Sequence, residues 1–95
     1  MDIKITGKHV EISPQIKLFI EKSLERLEKF EHHIISCEIV IELNEKRYKV
    51  DVDVDVKKHR FTGSDESFDL TTSIDKSINK VKVQLKKYEE KKHDH

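Results

Sequence analysis

The chain has 95 residues, of which 35% are hydrophobic and 40% are charged. A chain of this length buries roughly 60–65% of its unfolded surface, so we expect a single domain over residues 1–95. The low hydrophobic fraction predicts a thin core beneath solvated helix faces. The single cysteine, Cys37, excludes an intramolecular disulfide and fits a reducing compartment.

Hydropathy and charge exclude further classes of protein. No hydrophobic run approaches the ~18 residues of a membrane span, and residues 1–10 lack the hydrophobic region of a signal peptide. We therefore expect a cytoplasmic protein with no membrane partner. Lys plus Arg and Asp plus Glu each number 19, so the formal net charge is zero. Recognition of an anionic partner would therefore depend on segregation of charge along the fold.

The chain begins with a predicted strand and a predicted helix. Residues 2–6 alternate between polar and hydrophobic, which predicts a strand with Ile3 and Ile5 facing inward. A helix is predicted from the capping Ser13, with proline at its first position, to about Glu31. Its hydrophobic stripe consists of Ile16, Ile20, Leu24 and Leu27, with Phe19 and Phe30 along one edge. Its outer side carries Lys22, Arg26 and Lys29.

Three further strands are predicted from alternating runs. They cover residues 35–43, 48–56 and 60–64, and turns at 44–45 and 57–59 join them. The side chains expected to face inward include Ile35, Cys37, Ile39, Ile41, Leu43 and Phe61. Since each run is hydrophobic on one side only, the runs indicate an antiparallel sheet that is covered on one face.

The last helix is predicted over residues 68–92, with Ser67 as its cap and a flexible tail from about residue 92. Its hydrophobic stripe comprises Ile74, Ile78, Val81, Leu85 and Tyr88. The opposite side carries Lys76, Lys80 and Lys87, with Lys82 and Lys86 on a flank and Lys91 and Lys92 in the last turn. The exposed side of this helix is therefore positively charged.

Together these elements predict an α+β fold with the order β-α-β-β-β-α. It consists of a four-stranded sheet with two helices packed on one face. Both helices pack on the same face because the sheet is hydrophobic on that face only. No repeat, linker or second domain is indicated.

One acidic motif matches the start of a calcium-binding loop but not its later positions. Asp51, Asp53 and Asp55 match the first three ligand positions of an EF-hand, but Val56 and Thr62 stand where its glycine and bidentate glutamate belong. In a strand, the three carboxylates point the same way and do not surround an ion. The motif is therefore interpreted as a solvated strand face.

Motifs for metal binding and catalysis are also weak. The six histidines show neither a helical i, i+4 pair nor a C-x-x-C context, and the spacing of His33 and Cys37 straddles a helix-to-strand junction. No signature turn surrounds a nucleophile, and a chain with two glycines has no phosphate-binding glycine loop. We therefore predict no enzyme activity, no metal, no cofactor and no small-molecule substrate.

The lysine-rich side of the last helix is the remaining candidate site. For an isolated amphipathic helix, a solvated face would suffice as the explanation. Acids are concentrated on the outer face of the sheet, however, and the first helix adds further basic residues, which favours a surface that binds phosphates. The alternative is a protein-interaction module that uses the acidic sheet face or the helices without RNA contact.

A resemblance to a known family lies in five segments. They are Ile3–Gly7, Val10–Pro14, Arg26–Lys29, Asp69–Asp75 and Ile78–Lys87. These segments resemble the short bacterial ribosome hibernation-promoting factors and the related ribosome-associated inhibitors. The resemblance implies a fold similar to a double-stranded RNA-binding domain with an extra strand. It also implies a protein that is a monomer when free and binds rRNA of the small ribosomal subunit.

The family resemblance further implies a function and a site. Family members bind between the head and body of the small subunit, where tRNA and mRNA lie, and inhibit translation under stress; short members favour ribosome dimers. Lys80, Gln84 and Lys87 match the family's last-helix motif, whereas Val83 stands where arginine is typical and Glu89 where a basic residue is common. The predicted rRNA-binding residues are Lys76, Lys80, Lys82, Lys86, Lys87, Lys91, Lys22, Arg26 and Lys29.

Overall fold

The computed structural model describes residues 1–93 and contains the predicted elements in the predicted order. The strands are β1 (Asp2–Lys8), β2 (Ile34–Asn44), β3 (Arg47–Val56) and β4 (His59–Ser67), and the helices are α1 (Pro14–Ser23), a 3₁₀ helix (Leu24–His33) and α2 (Leu70–His93). The strands form one sheet in the order β1-β2-β3-β4, which confirms the predicted fold class. Residues 94 and 95, within the tail expected from about residue 92, lie outside the described residues.

The predicted antiparallel arrangement of the three later strands is confirmed, and β1, whose orientation the sequence left open, makes the sheet mixed. β3 is antiparallel to both β2 and β4, but β1 is parallel to β2. The difference follows from the connections. The tight turns after β2 and β3 reverse the chain, while α1 and the 3₁₀ helix form a crossover that returns it to the end of the sheet where β1 began.

The core lies between one face of this sheet and the helices. The predicted stripe of α2 is confirmed, since Ile74, Ile78, Val81 and Leu85 are buried. The other buried hydrophobic residues include Ile20, Leu24, Leu27 and Phe30 from the first helical region and Cys37, Ile39, Ile41, Val50, Val52 and Val54 from the strands. In residues 1–93, no helix combines the length and hydrophobicity needed to cross a bilayer.

Two of the predicted inward positions are wrong. Ile3, on the edge strand β1, only lines a groove beside Leu24 and keeps 41% of its surface exposed. In β2, the register against β3 shifts between Ile34 and Ser36. This irregularity directs Ile34 into the core and leaves Ile35 60% exposed, because an extra residue in one strand reverses the alternation at that point.

The second half of the first predicted helix is a 3₁₀ helix instead of an α-helix. Its sequence repeats every three residues in the order hydrophobic, acidic, basic or imidazole. The three sets are Leu24, Leu27 and Phe30; Glu25, Glu28 and Glu31; and Arg26, Lys29 and His32. A 3₁₀ helix has 3.0 residues per turn, so each set forms a straight line along the segment. The hydrophobic line is buried against the sheet.

Small residues allow α2 to lie close against β3 and β4. The Ser77 hydroxyl oxygen lies 2.7 Å from the Ser73 carbonyl oxygen and 3.1 Å from the Val50 carbonyl oxygen of β3. On β4, a Cβ atom at Gly63 would overlap the Ser77 carbonyl oxygen and press on Val81. A glycine is therefore required where the α2 backbone approaches β4.

Polar side chains cap both α-helices. The Ser13 hydroxyl accepts a hydrogen bond from the Ile16 N–H at 3.1 Å, as predicted. The cap of α2 is Asp69, and the prediction of Ser67 is wrong. The Asp69 carboxylate accepts hydrogen bonds from the backbone of Thr71 and Thr72, and its bond from the Thr72 hydroxyl at 2.5 Å is the largest cause of its lowered pKa. Ser67 instead accepts from the Asp69 N–H at 3.2 Å, which positions the cap.

Candidate nucleic-acid interface

The lysines of α2 lie on two sides of its exposed surface. Lys76 and Lys80 line a groove of about 340 Å³ together with Arg26 of the 3₁₀ helix. Further along, Lys87 and Lys91 line a groove beside β4. These four residues follow the outer and β4-facing side of α2, and we call them the lysine row.

Lys82 and Lys86 lie on the other flank of α2. By helical spacing, they share this flank with Asp75 and Glu89, which contact the 3₁₀ helix. Lys82 is half-buried and Lys86 is exposed. The two lysines therefore face the side of the first helical region, away from the lysine row.

Arg26 is held by α2. Its Nη2 lies 3.2 Å from Asp75 Oδ1, and its Nη1 lies 3.4 Å from the Asp75 carbonyl oxygen. The Ser23 hydroxyl also donates to Asp75 Oδ1 at 3.0 Å. Because the guanidinium is already shared with a carboxylate, Arg26 contributes less positive charge to the surface than the sequence suggested.

Lys80 is held in a similar way by β4. Its Nζ donates to the Ser64 carbonyl oxygen at 2.5 Å and lies 3.7 Å from Asp65 Oδ1. Gln84, one turn later, donates to the Thr62 carbonyl oxygen at 2.8 Å. Lys80 and Gln84 therefore bind α2 to the edge strand β4 through hydrogen bonds.

Lys22 and Lys29 are exposed on the first helical region, as predicted. The helical layer is not uniformly basic, however. The acidic line of the 3₁₀ helix lies on another side, and its members Glu25, Glu28 and Glu31 border a groove with Met1 and Ile3 of the β1 edge. The expectation that acids are concentrated on the sheet face is therefore incomplete, because the helical layer has a basic side near α2 and an acidic side near β1.

An aromatic groove lies beside the C-terminal half of the lysine row. It has a volume of about 400 Å³ and is lined by His59, Phe61, Gln84, Lys87, Tyr88 and Lys91. The ring centroids of Phe61 and Tyr88 are 5.5 Å apart, and those of His59 and Tyr88 are 5.7 Å apart. The sequence predicts Phe61 and Tyr88 on the inward side of β4 and α2, and the structure leaves both only partly buried. Each lies near the end of its hydrophobic stripe, which is the feature of the sequence that indicates partial burial.

The outer sheet face is acidic, but its carboxylates are bonded across the strands. Asp53 accepts from the Thr62 hydroxyl at 2.6 Å, and Asp55 accepts from the Arg60 guanidinium at 2.7 Å. The bond from Arg60 is the largest cause of the lowered pKa of Asp55. Each carboxylate thus interacts with its own neighbour on β4, as expected for a solvated strand face, and the carboxylates do not converge on one point.

Val83 lies on the outward side of α2 between the lysines and is 46% exposed. This agrees with its predicted place on the helical wheel. Replacement of this side chain therefore changes the surface and leaves the core packing intact.

The fold and this surface define a small α+β domain that presents a basic helix on one side of a mixed sheet. The chain belongs to the family described as sigma 54 modulation protein / S30EA ribosomal protein, whose model matches residues 3–93. This confirms the family resemblance found in the sequence.

Several relatives are similar over all or nearly all of the chain. A ribosome hibernation promoting factor of Klebsiella oxytoca is 30% identical over 95 residues, which is 100% of both chains. The factor of the same name from Escherichia coli K12 is 27% identical, again over 100% of both chains. A ribosome hibernation promotion factor of Bacillus subtilis is 26% identical over 96% of this chain, which spans 50% of that relative's length.

Solved structures agree with the fold. A ribosomal subunit interface protein from Coxiella burnetii has a TM-score of 0.87 and 30% identity, with 94% of this chain and 98% of that chain covered. The N-terminal domain of Protein Y from Thermus thermophilus has a TM-score of 0.85 and 27% identity, covering 93% and 99%.

Proposed function

We propose that this protein is a ribosome hibernation factor that binds the small ribosomal subunit through the lysine row of α2. Occupying the decoding region, where tRNA and mRNA lie, it inhibits translation in the cytoplasm of stressed cells. The observation that supports this most is the exposed row itself, Lys76, Lys80, Lys87 and Lys91, on a chain whose full-length relatives are named ribosome hibernation promoting factors.

The geometry of α2 suits a phosphate backbone. Its 24 residues correspond to a rod roughly 36 Å long. Lysine ammonium groups spaced along such a rod neutralise successive phosphates and release their condensed counterions, which contributes a large, salt-dependent part of the affinity for a nucleic-acid backbone. The acidic sheet face lies on the other side of the sheet from α2. Because its carboxylates repel phosphates, this face disfavours contact with RNA, and the protein docks in one orientation.

Binding should be measured by co-sedimentation of the purified protein with small subunits across a salt series. We expect the logarithm of the binding constant to fall steeply and linearly with the logarithm of salt concentration. A protein-interaction module that docks through hydrophobic contact would show little salt dependence, and this result would contradict the proposal. Large subunits provide the control for non-specific attraction to rRNA.

The mode of inhibition can be tested by titration of a translation assay. A factor that acts by occupying a site should reach its plateau near one protein per ribosome. Complete inhibition at a small fraction of the ribosome concentration would contradict this mode. Sucrose-gradient sedimentation of the same mixtures would report whether the protein also promotes ribosome dimers, which is the finer part of the proposal.

A further inference from the structure

A cluster of metal-ligating side chains lies where the 3₁₀ helix ends against α2. It consists of His32, His33 and Glu89, and one ligand atom from each lies within 4.8 Å of the other two. His33 Nε2 and Glu89 Oε2 are 3.4 Å apart. The two histidine rings are in contact, with centroids 3.9 Å apart, and the His33 ring is braced by the edge-on ring of Tyr88 at 5.6 Å.

His33 Nε2 is a buried nitrogen without a hydrogen bond. It has almost no contact with solvent, and no described residue is placed to form a hydrogen bond with it, although Glu89 is near. The His33 side chain is only 15% exposed. A buried polar atom left in this state costs free energy, so such atoms in folded proteins are usually explained by a partner that the protein atoms do not supply.

A metal ion fits this arrangement. Zinc binds imidazole nitrogen and carboxylate oxygen at about 2.0–2.2 Å in tetrahedral geometry, so two of its ligands stand about 3.4 Å apart. His33 Nε2 and Glu89 Oε2 are separated by this distance. His32 is exposed, so its ring can rotate to close the remaining distance without disturbing the core.

We propose that His32, His33 and Glu89 form a binding site for a divalent zinc-type ion, with water as the fourth ligand. Two imidazoles and one carboxylate are a known donor set for zinc, and imidazole ligands disfavour the hard cations magnesium and calcium. The bound ion supplies the missing partner of His33 Nε2. It also joins the end of the 3₁₀ helix to the last turns of α2, on the flank of α2 that faces away from the lysine row.

A simple ion pair between His33 and Glu89 is the competing explanation. It requires a protonated imidazole and predicts no affinity for metal. The metal site requires neutral imidazoles and predicts saturable binding of one ion per chain. Titration with metal therefore separates the two.

The test is calorimetric titration of zinc chloride into the full-length protein after treatment with EDTA, with cobalt(II) absorption as a second readout of ligand geometry. We expect one ion per chain, a saturable rise in melting temperature, and cobalt bands typical of four-coordinate nitrogen and oxygen ligation. Magnesium should not compete. His33→Gln and Glu89→Gln should each weaken binding at least about tenfold, since even outer partners of metal ligands contribute this much.

Matched controls keep the result specific. Glu90→Gln removes the neighbouring carboxylate of α2 and should leave zinc affinity unchanged. A background with His93→Gln and His95→Gln tests whether the C-terminal histidines account for binding. Unchanged affinity in both His33→Gln and Glu89→Gln, loss of all affinity in the background alone, or absence of zinc binding to the native chain would overturn the proposal. His32→Gln removes the exposed ligand and should also weaken zinc binding, in a variant whose folding is not in question.

Discussion

Arg26 of the 3₁₀ helix and Asp75 of α2 form an ion pair at 3.2 Å, so one basic residue of the predicted RNA surface is already engaged within the fold. Lys80 is engaged as well, by Ser64 and Asp65 of β4. Changing either residue would alter the packing of α2 together with its charge. The residues that test RNA binding without this effect are Lys76, Lys87 and Lys91, which are exposed.

Charge reversal of these three lysines to glutamate should abolish co-sedimentation with small subunits and leave the melting temperature unchanged. The variant replaces attraction to successive phosphates with repulsion. Reversal of Lys8, Lys17 and Lys49, which are exposed on β1, α1 and β3, is the control with the same net charge. Binding at the native level by the α2 variant would contradict the docking surface proposed above.

Val83→Arg should tighten binding to the small subunit. Arginine offers a forked, permanently charged donor set to a phosphate, and one added contact should steepen the salt dependence by somewhat under one unit, by analogy with the ~0.9 per contact of B-DNA. Because Val83 is on the surface, the free energy of unfolding should change by no more than ~0.5 kcal/mol. Leu18→Arg, on the exposed side of α1, is the matched control. An unchanged salt slope would place Val83 outside the interface.

Gly63→Ala should destabilise the protein by about 1–3 kcal/mol or more. The added methyl group overlaps the Ser77 carbonyl oxygen, so α2 has to move away from β4. Chemical denaturation measures the loss, and Glu66→Ala, at an exposed position on the same strand, serves as the control. Native stability in Gly63→Ala would mean that α2 does not pack this closely.

Asp69→Ala should lower the melting temperature at neutral pH, since it removes the cap of α2. The pKa of Asp69 is lowered by its hydrogen bonds with Thr72 and Thr71, so its stabilising effect is present above the unfolded pKa of about 3.9 and is lost as the pH falls through the folded pKa. The difference between native and variant proteins should therefore shrink in acid. A difference that stays constant with pH would show that the charged carboxylate is not the capping group. Glu90→Ala provides the control for loss of an acidic residue on α2.

Cys37 should resist thiol reagents in the folded protein. Burial, with smaller contributions from Asp53 and Asp55, raises its pKa to about 11, so the thiolate is scarce near neutral pH. Labelling by a thiol reagent should be slow in native buffer and immediate in denaturant. Rapid labelling of the native protein would indicate that β2 opens locally.

Much of the fold follows from periodicity, and much of the site does not. The stripes of α2 and the alternation of β3 are long enough to define each element and its buried side. The shift at Ile34 and Ile35 was not predictable, because a single extra residue in a strand leaves no mark in the alternation around it. The pairing of Arg26 with Asp75 depends on how two separate helices lie side by side, which spacing within one helix does not reveal.

The 3₁₀ helix is a case in which a signal was present. The order hydrophobic, acidic, basic repeats from Leu24 through His32 with a period of three. Leu24 and Leu27, which are predicted on an α-helical stripe, fit this period equally well. The charged residues distinguish the two periods, because they follow the period of three. In an α-helix the acids and bases of this segment would spread around the surface, whereas the shorter period keeps each in its own line.

This threefold order makes the buried side of the segment depend on the exact number of residues in it. Loss of one residue between Leu24 and His33 would turn everything beyond it by a third of a revolution, so that glutamates or basic residues would meet the core in place of leucine and phenylalanine. Loss of three residues would remove one full turn, so the hydrophobic residues would again face the core, and the segment would be about 6 Å shorter. We therefore expect this crossover to tolerate changes in length by whole triplets better than the smaller change of a single residue.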